Sequence, residues 1–298
     1  ALGRKSNAIV TLNRDPATGQ LAFVRAQNKD APGLLRLIRP SGIVLSSDGA
    51  QVYVTARDGN AVIVLDRNAS AGDPDFGKLT VKASYVDGLA GISGIRGAFG
   101  LALSPNGQQL YVAAGTDHSV VRFDRGTGGS LVQRQVWKHG DPGLHGLRGA
   151  HSVVVAPNGK EVFVTGAEDD SLTVFDRATG GAQAGSLSVH RTLFKGAGGL
   201  NHLSIPGQMA ASGDDRYLYV TASGGDGAII TYRRLSLDQL FRDGFETPPA
   251  KGTSENLPFR GIPAFAGLTP VFRGAPPGAS RPLPQANGME RAGGQCSP

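Results

Sequence analysis

Cysteine is almost missing from this chain of 298 residues: Cys296, third from the end, is the only one. A disulfide framework and a cysteine-based metal site within one chain are therefore excluded. Aromatic residues make up 6% of the sequence and charged residues 18%, and no apolar run approaches the ~18 residues that a membrane-spanning helix requires. No secretory leader is visible, and the first residue is alanine, so residue 1 need not be the first of the gene product. Charge of one sign is also scarce. The net charge is +6, but five basic and two acidic side chains follow Glu246, and residues 1–246 hold 25 basic and 22 acidic ones, well mixed. With no basic stripe interleaved with aromatics, nucleic acid is not an expected partner.

What the chain does have is glycine, 44 residues of it, and 40% hydrophobic residues falling in short patterned runs. That profile fits a turn-rich β protein better than a helical or a disordered one. It also repeats itself. SPNGQQLYVAAGTDHSVVRFDR at 104–125 returns as APNGKEVFVTGAEDDSLTVFDR at 156–177, with further copies at 46–67 and 212–233. Gly33, Gly91, Gly143 and Gly199 open four copies, and sixteen residues later come the turn positions Gly49, Gly107, Gly159 and Asp215. Tyr53, Tyr111, Phe163 and Tyr219 stand four residues further on, and thirteen beyond those lie Asp66-Arg67, Asp124-Arg125, Asp176-Arg177 and Tyr232-Arg233. No insertion is expected within these 35 residues of any copy, and the periods are 58, 52 and 56 residues.

Alternation within a copy predicts four antiparallel strands. A short inner strand (101–103, 153–155) leads through a hairpin turn to a second (110–114, 162–166). A third (119–123, 171–175) runs to the Asp-Arg pair, and a weaker fourth follows a glycine-rich turn (79–85, 131–136, 187–193). Four strands per ~50 residues with no helical periodicity is the pattern of a propeller blade. The fold class expected is therefore all-β: a β-propeller of four-stranded antiparallel blades. NAIVTLNR at 7–14 aligns with NAVIVLDR at 60–67, so the chain enters at the third strand of a blade and about four and a half blades are visible. They form a propeller domain over 1–246, with a partial blade at 7–30 and repeats near 31–86, 87–138, 139–194 and 195–240, followed by an irregular Pro/Gly-rich tail at 247–298.

YVTARDGNAVIVLDR and its copies resemble the tyrosine-valine-threonine-asparagine repeat of bacterial β-propellers. The connections GLAGISGIRGA and GLHGLRGA resemble those of the lactonase-like propeller family, whose members include 6-phosphogluconolactonase-like enzymes and secreted propellers of unknown role. The resemblance covers residues 7–233 and implies seven blades in a complete ring. The shortfall leaves three expectations: a fragment of a longer product, which is preferred; a four-bladed ring completed by the N-terminal strands; or two copies paired through open blade faces, each a patch large enough to drive association. FRDGFE at 241–246 resembles a C-terminal signature of secreted γ-proteobacterial proteins, which implies an extracellular or periplasmic location. GIPAFAGLTP at 261–270 resembles translated intergenic repeat DNA, so the tail is expected to be disordered or non-native.

Ligands of propellers sit at the channel mouth, lined by the inter-blade connections. Arg96 and Arg148 share one register position there, Arg39 sits one residue further along, His151 begins an inner strand and His202 lies in the last connection. These five are the expected ligand-binding residues, because a guanidinium fork suits phosphate or carboxylate. His151, Arg148 and Arg96 are also the candidate catalytic residues, a histidine being able to activate water; the plainer alternative is that such arginines only bridge blades. The expected partner is a small molecule or protein, with no cofactor. His139, His145 and His151, with Asp141 between, could ligate a metal only if the loop folded back twice, since six extended residues span ~20 Å; no metal is expected. The glycines of 88–97 lack the strand and helix of a dinucleotide loop. Asp117-His118-Ser119 cannot converge as a triad because consecutive strand residues alternate faces; His118 shares its column with Asp170 and Asp226 and is expected to be a turn residue. The Asp-Arg pair recurs and so is expected to be scaffold, ending the third strand and pairing charges at the blade's edge. The function expected is thus a ligand- or protein-binding scaffold, with a sugar-lactone hydrolase as the alternative.

Overall fold

The computed structural model describes residues 1–233 except Ala71, Gly198, Gly199 and Asp226. The expected tail, the FRDGFE segment, the opening glycine of the fourth copy and the Asp226 member of the turn column lie outside the described residues. Alternating β-branched and aromatic residues between Ser/Pro-Asn/Asp-Gly turns build five consecutive antiparallel sheets. The first sheet has three strands: β1 (Leu2–Gly3), β2 (Ala8–Arg14) and β3 (Leu21–Asn28). The second holds β4 (Pro40–Leu45), β5 (Gln51–Ala56), β6 (Ala61–Arg67) and β7 (Leu79–Val86). The third holds β8 (Ala98–Leu103), β9 (Gln109–Ala114), β10 (Ser119–Arg125) and β11 (Leu131–Lys138). The fourth holds β12 (Ala150–Val155), β13 (Glu161–Gly166), β14 (Ser171–Arg177) and β15 (Leu187–Phe194). The fifth has three strands: β16 (Pro206–Ala211), β17 (Tyr217–Ala222) and β18 (Ala228–Arg233). Each sheet is one blade, and the fold is a β-propeller. The first blade gains a two-residue strand, β1, ahead of the third-strand position where the sequence pattern begins.

Inner strands β4, β8, β12 and β16 pack in succession, and β1 packs on β4. Four apolar clusters bind the five sheets pairwise. In the second of them, Tyr53, Val62 and Val64 of one sheet meet Leu110, Val112, Val121 and Phe123 of the next. Leu34 and Leu37, Ile92 and Ile95, and Leu144 and Leu147, from the Gly-(Leu/Ile)-x-x-(Leu/Ile) connections, plug the first three clusters. Burying one such side chain contributes roughly 1.5–3 kcal/mol, so apolar contact between sheets supplies most of the stability. Among the described residues no fifth cluster joins the last sheet to the first.

Polar bonds set the register of that packing. Arg125 ends β10 and donates from Nε to the hydroxyl of Tyr53 in the preceding sheet, from its terminal nitrogens to Gly107 O at 2.7 Å and to Gln51 Oε1 at 3.1 Å. Tyr53 in turn donates to Gly129 O at 3.0 Å. One sheet later the set is repeated: Arg177 Nε donates to the Tyr111 hydroxyl at 2.9 Å, and Tyr111 donates to Gly185 O at 2.6 Å. Burial pushes the pKa of both phenols up, so each keeps the proton it donates. The Asp-Arg pair is scaffold, but its members do not pair with each other. Arg125 and Arg177 staple sheets, Arg67 donates to Gly49 O at 3.2 Å in the turn of its own sheet, and Asp66 meets Lys82, Asp124 meets Arg122 and Arg134, and Asp176 meets His190.

A second column latches sheets at the turn before each third strand. Asn7, Asn60, His118 and Asp170 all have φ near +50°. Each accepts a backbone N–H from the following connection: Arg39 at 2.7 Å, Gly97 at 2.8 Å, Gly149 at 2.9 Å and Ile205 at 2.6 Å respectively. His118 therefore is a turn residue as expected, with Nδ1 acting as an acceptor. The fourth copy departs from the expected register. Its turn holds one more residue, since Ala222 pairs Ala228 where Ala56 pairs Ala61. Tyr232 consequently stands opposite Leu218, in the column of Leu65 opposite Val52, and Arg233 takes the place of Asp66.

The shared hydroxyl makes a direct prediction. Tyr111→Phe leaves the buried Arg177 Nε and Gly185 carbonyl unpaired and should cost roughly 1–3 kcal/mol, read as a lower urea midpoint with an unchanged slope. Tyr219→Phe, at the same column on the exposed face of the last sheet, should change the stability of the monomer in dilute solution by less than about 0.5 kcal/mol.

Candidate functional site

Every inner strand breaks its ladder with the second strand at the same place. Between paired Ala98↔Ala114 and Leu101↔Val112, two residues of β8 oppose one of β9; the same happens at 151–152 in β12 and 207–208 in β16. Such bulges re-aim side chains away from the alternating pattern. The first bulge residue in β8 is Phe99 and in β12 is His151, while the same column holds Ser41 in β4 and Gly207 in β16. Inner strands also approach closely: a Cβ added at Gly42 would lie 2.6 Å from the Phe99 carbonyl, and one at Gly100 would lie 2.6 Å from the His151 carbonyl. Only glycine allows that approach.

The result is a stack at the axis. The Phe99 and His151 rings lie 3.7 Å apart between centroids at 33°. Two guanidinium groups face Phe99, Arg4 at 5.4 Å and Arg57 at 5.9 Å from its centroid. Arg4 comes from the turn between β1 and β2, and Arg57 from the turn after β5, a column that holds Gly115, Ala167 and Ser223 in the other copies. These groups, with Gly97, Thr116, His118, Gly149 and Glu168, line a cleft of about 520 Å³. A second cleft of about 550 Å³ shares Arg4 and adds Lys5, Asn7, Ile38, Arg39 and Asp58.

His151 is the perturbed group of the cleft. Burial, with the nearby positive charges of Arg4 and Arg57, lowers its pKa from 6.5 to about 4, against a small opposing effect of the Gly207 carbonyl. It is therefore neutral at pH 7. Its Nδ1 is buried and meets no hydrogen-bond partner among the described residues. A neutral imidazole beside two cations is an acceptor, and the site as a whole presents positive charge to whatever enters.

The expected site residues separate. His151 lines the first cleft and Arg39 the second, where Arg39 is held 3.3 Å from Asp58. Arg96 is tied through Nε to Asp117 at 2.8 Å, and its neighbour Gly97 lines the cleft in its stead. Arg148 is exposed at the rim beside Gly149, and His202 is exposed and outside either lining. His139 sits 3.1 Å from Asp169, with the His145 ring 6.0 Å away edge-on, while His151 stacks on Phe99. The three histidines are not brought together, and among the described residues no group of three His, Cys, Asp or Glu is arranged to hold a metal. Sequence reasoning missed Arg4, Arg57 and Phe99. The last two carried a signal: Arg57 stands in a column otherwise filled by small residues, and Phe99 shares with His151 a column whose other members are Ser41 and Gly207; Arg4 precedes the first repeat and carried none.

No protein-family model and no curated protein matches the chain. Solved structures do. A candidate 6-phosphogluconolactonase from Bacteroides fragilis matches at TM-score 0.59 and 16% identity, over 76% of this chain and 61% of that one. A second from Bacteroides uniformis matches at TM-score 0.52 and 16% identity, over 78% and 76%. The periplasmic gluconolactonase of Pseudomonas aeruginosa matches at TM-score 0.54 and 18% identity, over 76% and 62%. The chain thus spans under two thirds of the length of two of these three. At such identity the likeness is one of fold, and a propeller fold hosts many functions.

The pKa of His151 makes stability depend on pH. The unfolded imidazole takes up its proton near pH 6.5 and the folded one only near 4, so between these values the unfolded chain binds more proton. The stability contributed by neutral His151 is full above about pH 6.5 and falls as pH drops toward 4. Urea midpoints measured at pH 7 and pH 5 should differ more for the native chain than for His151→Gln.

Proposed function

We propose that this chain is a small-molecule-binding propeller whose ligand is an anion, a carboxylate or phosphate ester, seated in the axial cleft. One observation carries the proposal: Arg4 and Arg57 converge over the Phe99–His151 stack in a cleft large enough for a small metabolite. Arginine's planar fork matches a carboxylate or phosphate through paired hydrogen bonds, and the Phe99 ring beneath gives both guanidinium groups an aromatic face to lie against. Neutral His151 adds an acceptor for a ligand hydroxyl, and Glu168 is a second polar wall. In this reading Arg39 extends the site through the shared Arg4, and Arg96 and Arg148 act only at the rim. Placement outside the cytoplasm belongs to the same proposal and is supported by the resemblance of FRDGFE to a secreted-protein signature.

A second reading, hydrolysis of a sugar lactone, is favoured by one feature: the unpartnered Nδ1 of a neutral imidazole beside cations that would stabilise a developing oxyanion. A base with a pKa near 4 is weak at neutral pH, however, and general bases work best when their pKa lies near the operating pH. Binding therefore leads.

Isothermal titration with inorganic phosphate and with gluconate tests the proposal. Saturable binding to at least one should appear and weaken by about tenfold or more in Arg57→Ala, the ~1.4 kcal/mol or more expected of a charge-assisted bond. No binding of either anion, or binding untouched by Arg57→Ala, contradicts it. Turnover of gluconolactone that is lost in His151→Gln would move the second reading to first place.

A further inference from the structure

The first and last sheets each leave one face uncovered among the described residues, and the two faces are halves of one contact. On that face of the last sheet Tyr219, Thr221, Ile229 and Thr231 are exposed and Tyr217 is half-buried. Ladder pairing sets them in the columns of Gln51, Tyr53, Thr55, Val62 and Val64, all of which are buried against the following sheet. Ile229 is 75% exposed and Tyr219 39%, where Val62 and Tyr53 are at 0%. On the corresponding face of the first sheet Leu21 and Phe23 are exposed and Val10 and Leu12 half-buried. They stand in the columns of Ile63, Leu65, Leu79 and Val81, which pack against the preceding sheet. Phe23 is 68% exposed.

The polar staple is divided in the same way. Arg14 ends β2 as Arg125 and Arg177 end β10 and β14. Tyr219 stands where Tyr53 and Tyr111 accept those arginines. Neither Arg14 nor Tyr219 finds its counterpart among the described residues.

We propose that the last sheet of one copy docks on the first sheet of a second copy, repeating between molecules the contact made four times within each. Ile229 and Tyr219 of one copy cover Leu12 and Phe23 of the other, and Arg14 donates to the Tyr219 hydroxyl across the junction. The observation that favours a second copy is continuity: both complementary faces are carried on the same chain, and each matches its internal counterpart column by column. Such a contact is heterologous, so the outer ends stay free and copies add head to tail into a ring or a filament.

Sedimentation velocity of the full chain tests this. The native chain should self-associate with rising concentration. Phe23→Asp and Ile229→Asp, both at exposed positions where a charge leaves the folded copy intact, should each be monomeric alone. Mixed one to one they should form a dimer that grows no further, because each supplies the face that the other lacks. Tyr219→Phe should weaken association about tenfold, the ~1.4 kcal/mol of one hydrogen bond. A native chain that stays monomeric at its highest soluble concentration overturns the proposal, as does association that survives in Phe23→Asp or Ile229→Asp alone.

Discussion

A strand buried on both faces needs a sheet on either side, and that requirement organises this molecule. Val52 to Ala56 and Leu110 to Ala114 are buried at every position, one set of side chains turned to the preceding sheet and the other to the following one. No sheet here has a core of its own; the cores lie between sheets. Apolar contact does the holding, since each cluster buries about ten side chains, at roughly 1.5–3 kcal/mol apiece before the entropic cost of ordering them. A staple of arginine, tyrosine and glycine carbonyl is worth far less, on the order of 1 kcal/mol per bond. Its role is geometric: a planar guanidinium with three fixed acceptors admits one offset between neighbouring sheets. At the first and last of the described sheets, the same rule leaves apolar columns uncovered among the described residues.

The candidate site lies where the repeat is broken. Columns that recur, such as Asn7, Asn60, His118 and Asp170, are occupied in each copy by a latch to the next. Columns that differ from copy to copy collect at the axis. Ser41, Phe99, His151 and Gly207 occupy one bulge position, and Arg57 replaces the small residues of another column. Because the inner strands approach as closely as glycine permits, a large side chain at either place has nowhere to go but into the axial space. That is how a nearly uniform scaffold acquires one unsymmetrical, cationic cleft.

Much of this was legible in the sequence. Alternation and hairpin turns located the second, third and fourth strands of the middle copies to within a residue or two, and the alignment of NAIVTLNR with NAVIVLDR placed β2 beside β6. The inner strands came out three residues too short at their N-terminal ends, because a bulge breaks the period-two pattern at 99–100 and 151–152. The extra residue in the turn at 223–227 was hidden by an arginine at the expected spacing, although ladder pairing sets Arg233 in the aspartate column. Of the residues lining the cleft, His151 was singled out because it begins an inner strand. Arg96 fitted the same logic, but Asp117, on the adjoining turn, holds it. The destination of a long side chain depends on what stands within six or seven ångströms of its root, and that is set by sheet-to-sheet contacts that no local spacing reports.

In the proposed function the cleft over the Phe99–His151 stack receives an anion. Histidine-selective NMR of the full chain at pH 7 tests it most directly, since a ligand held by Arg57 must alter the shielding of the His151 ring beside it. The His151 signal should shift saturably as inorganic phosphate or gluconate is added, while the exposed His202 signal stays in place, and Arg57→Ala should suppress the shift. A His151 signal that does not move with either anion, or that moves equally without Arg57, would contradict the claim.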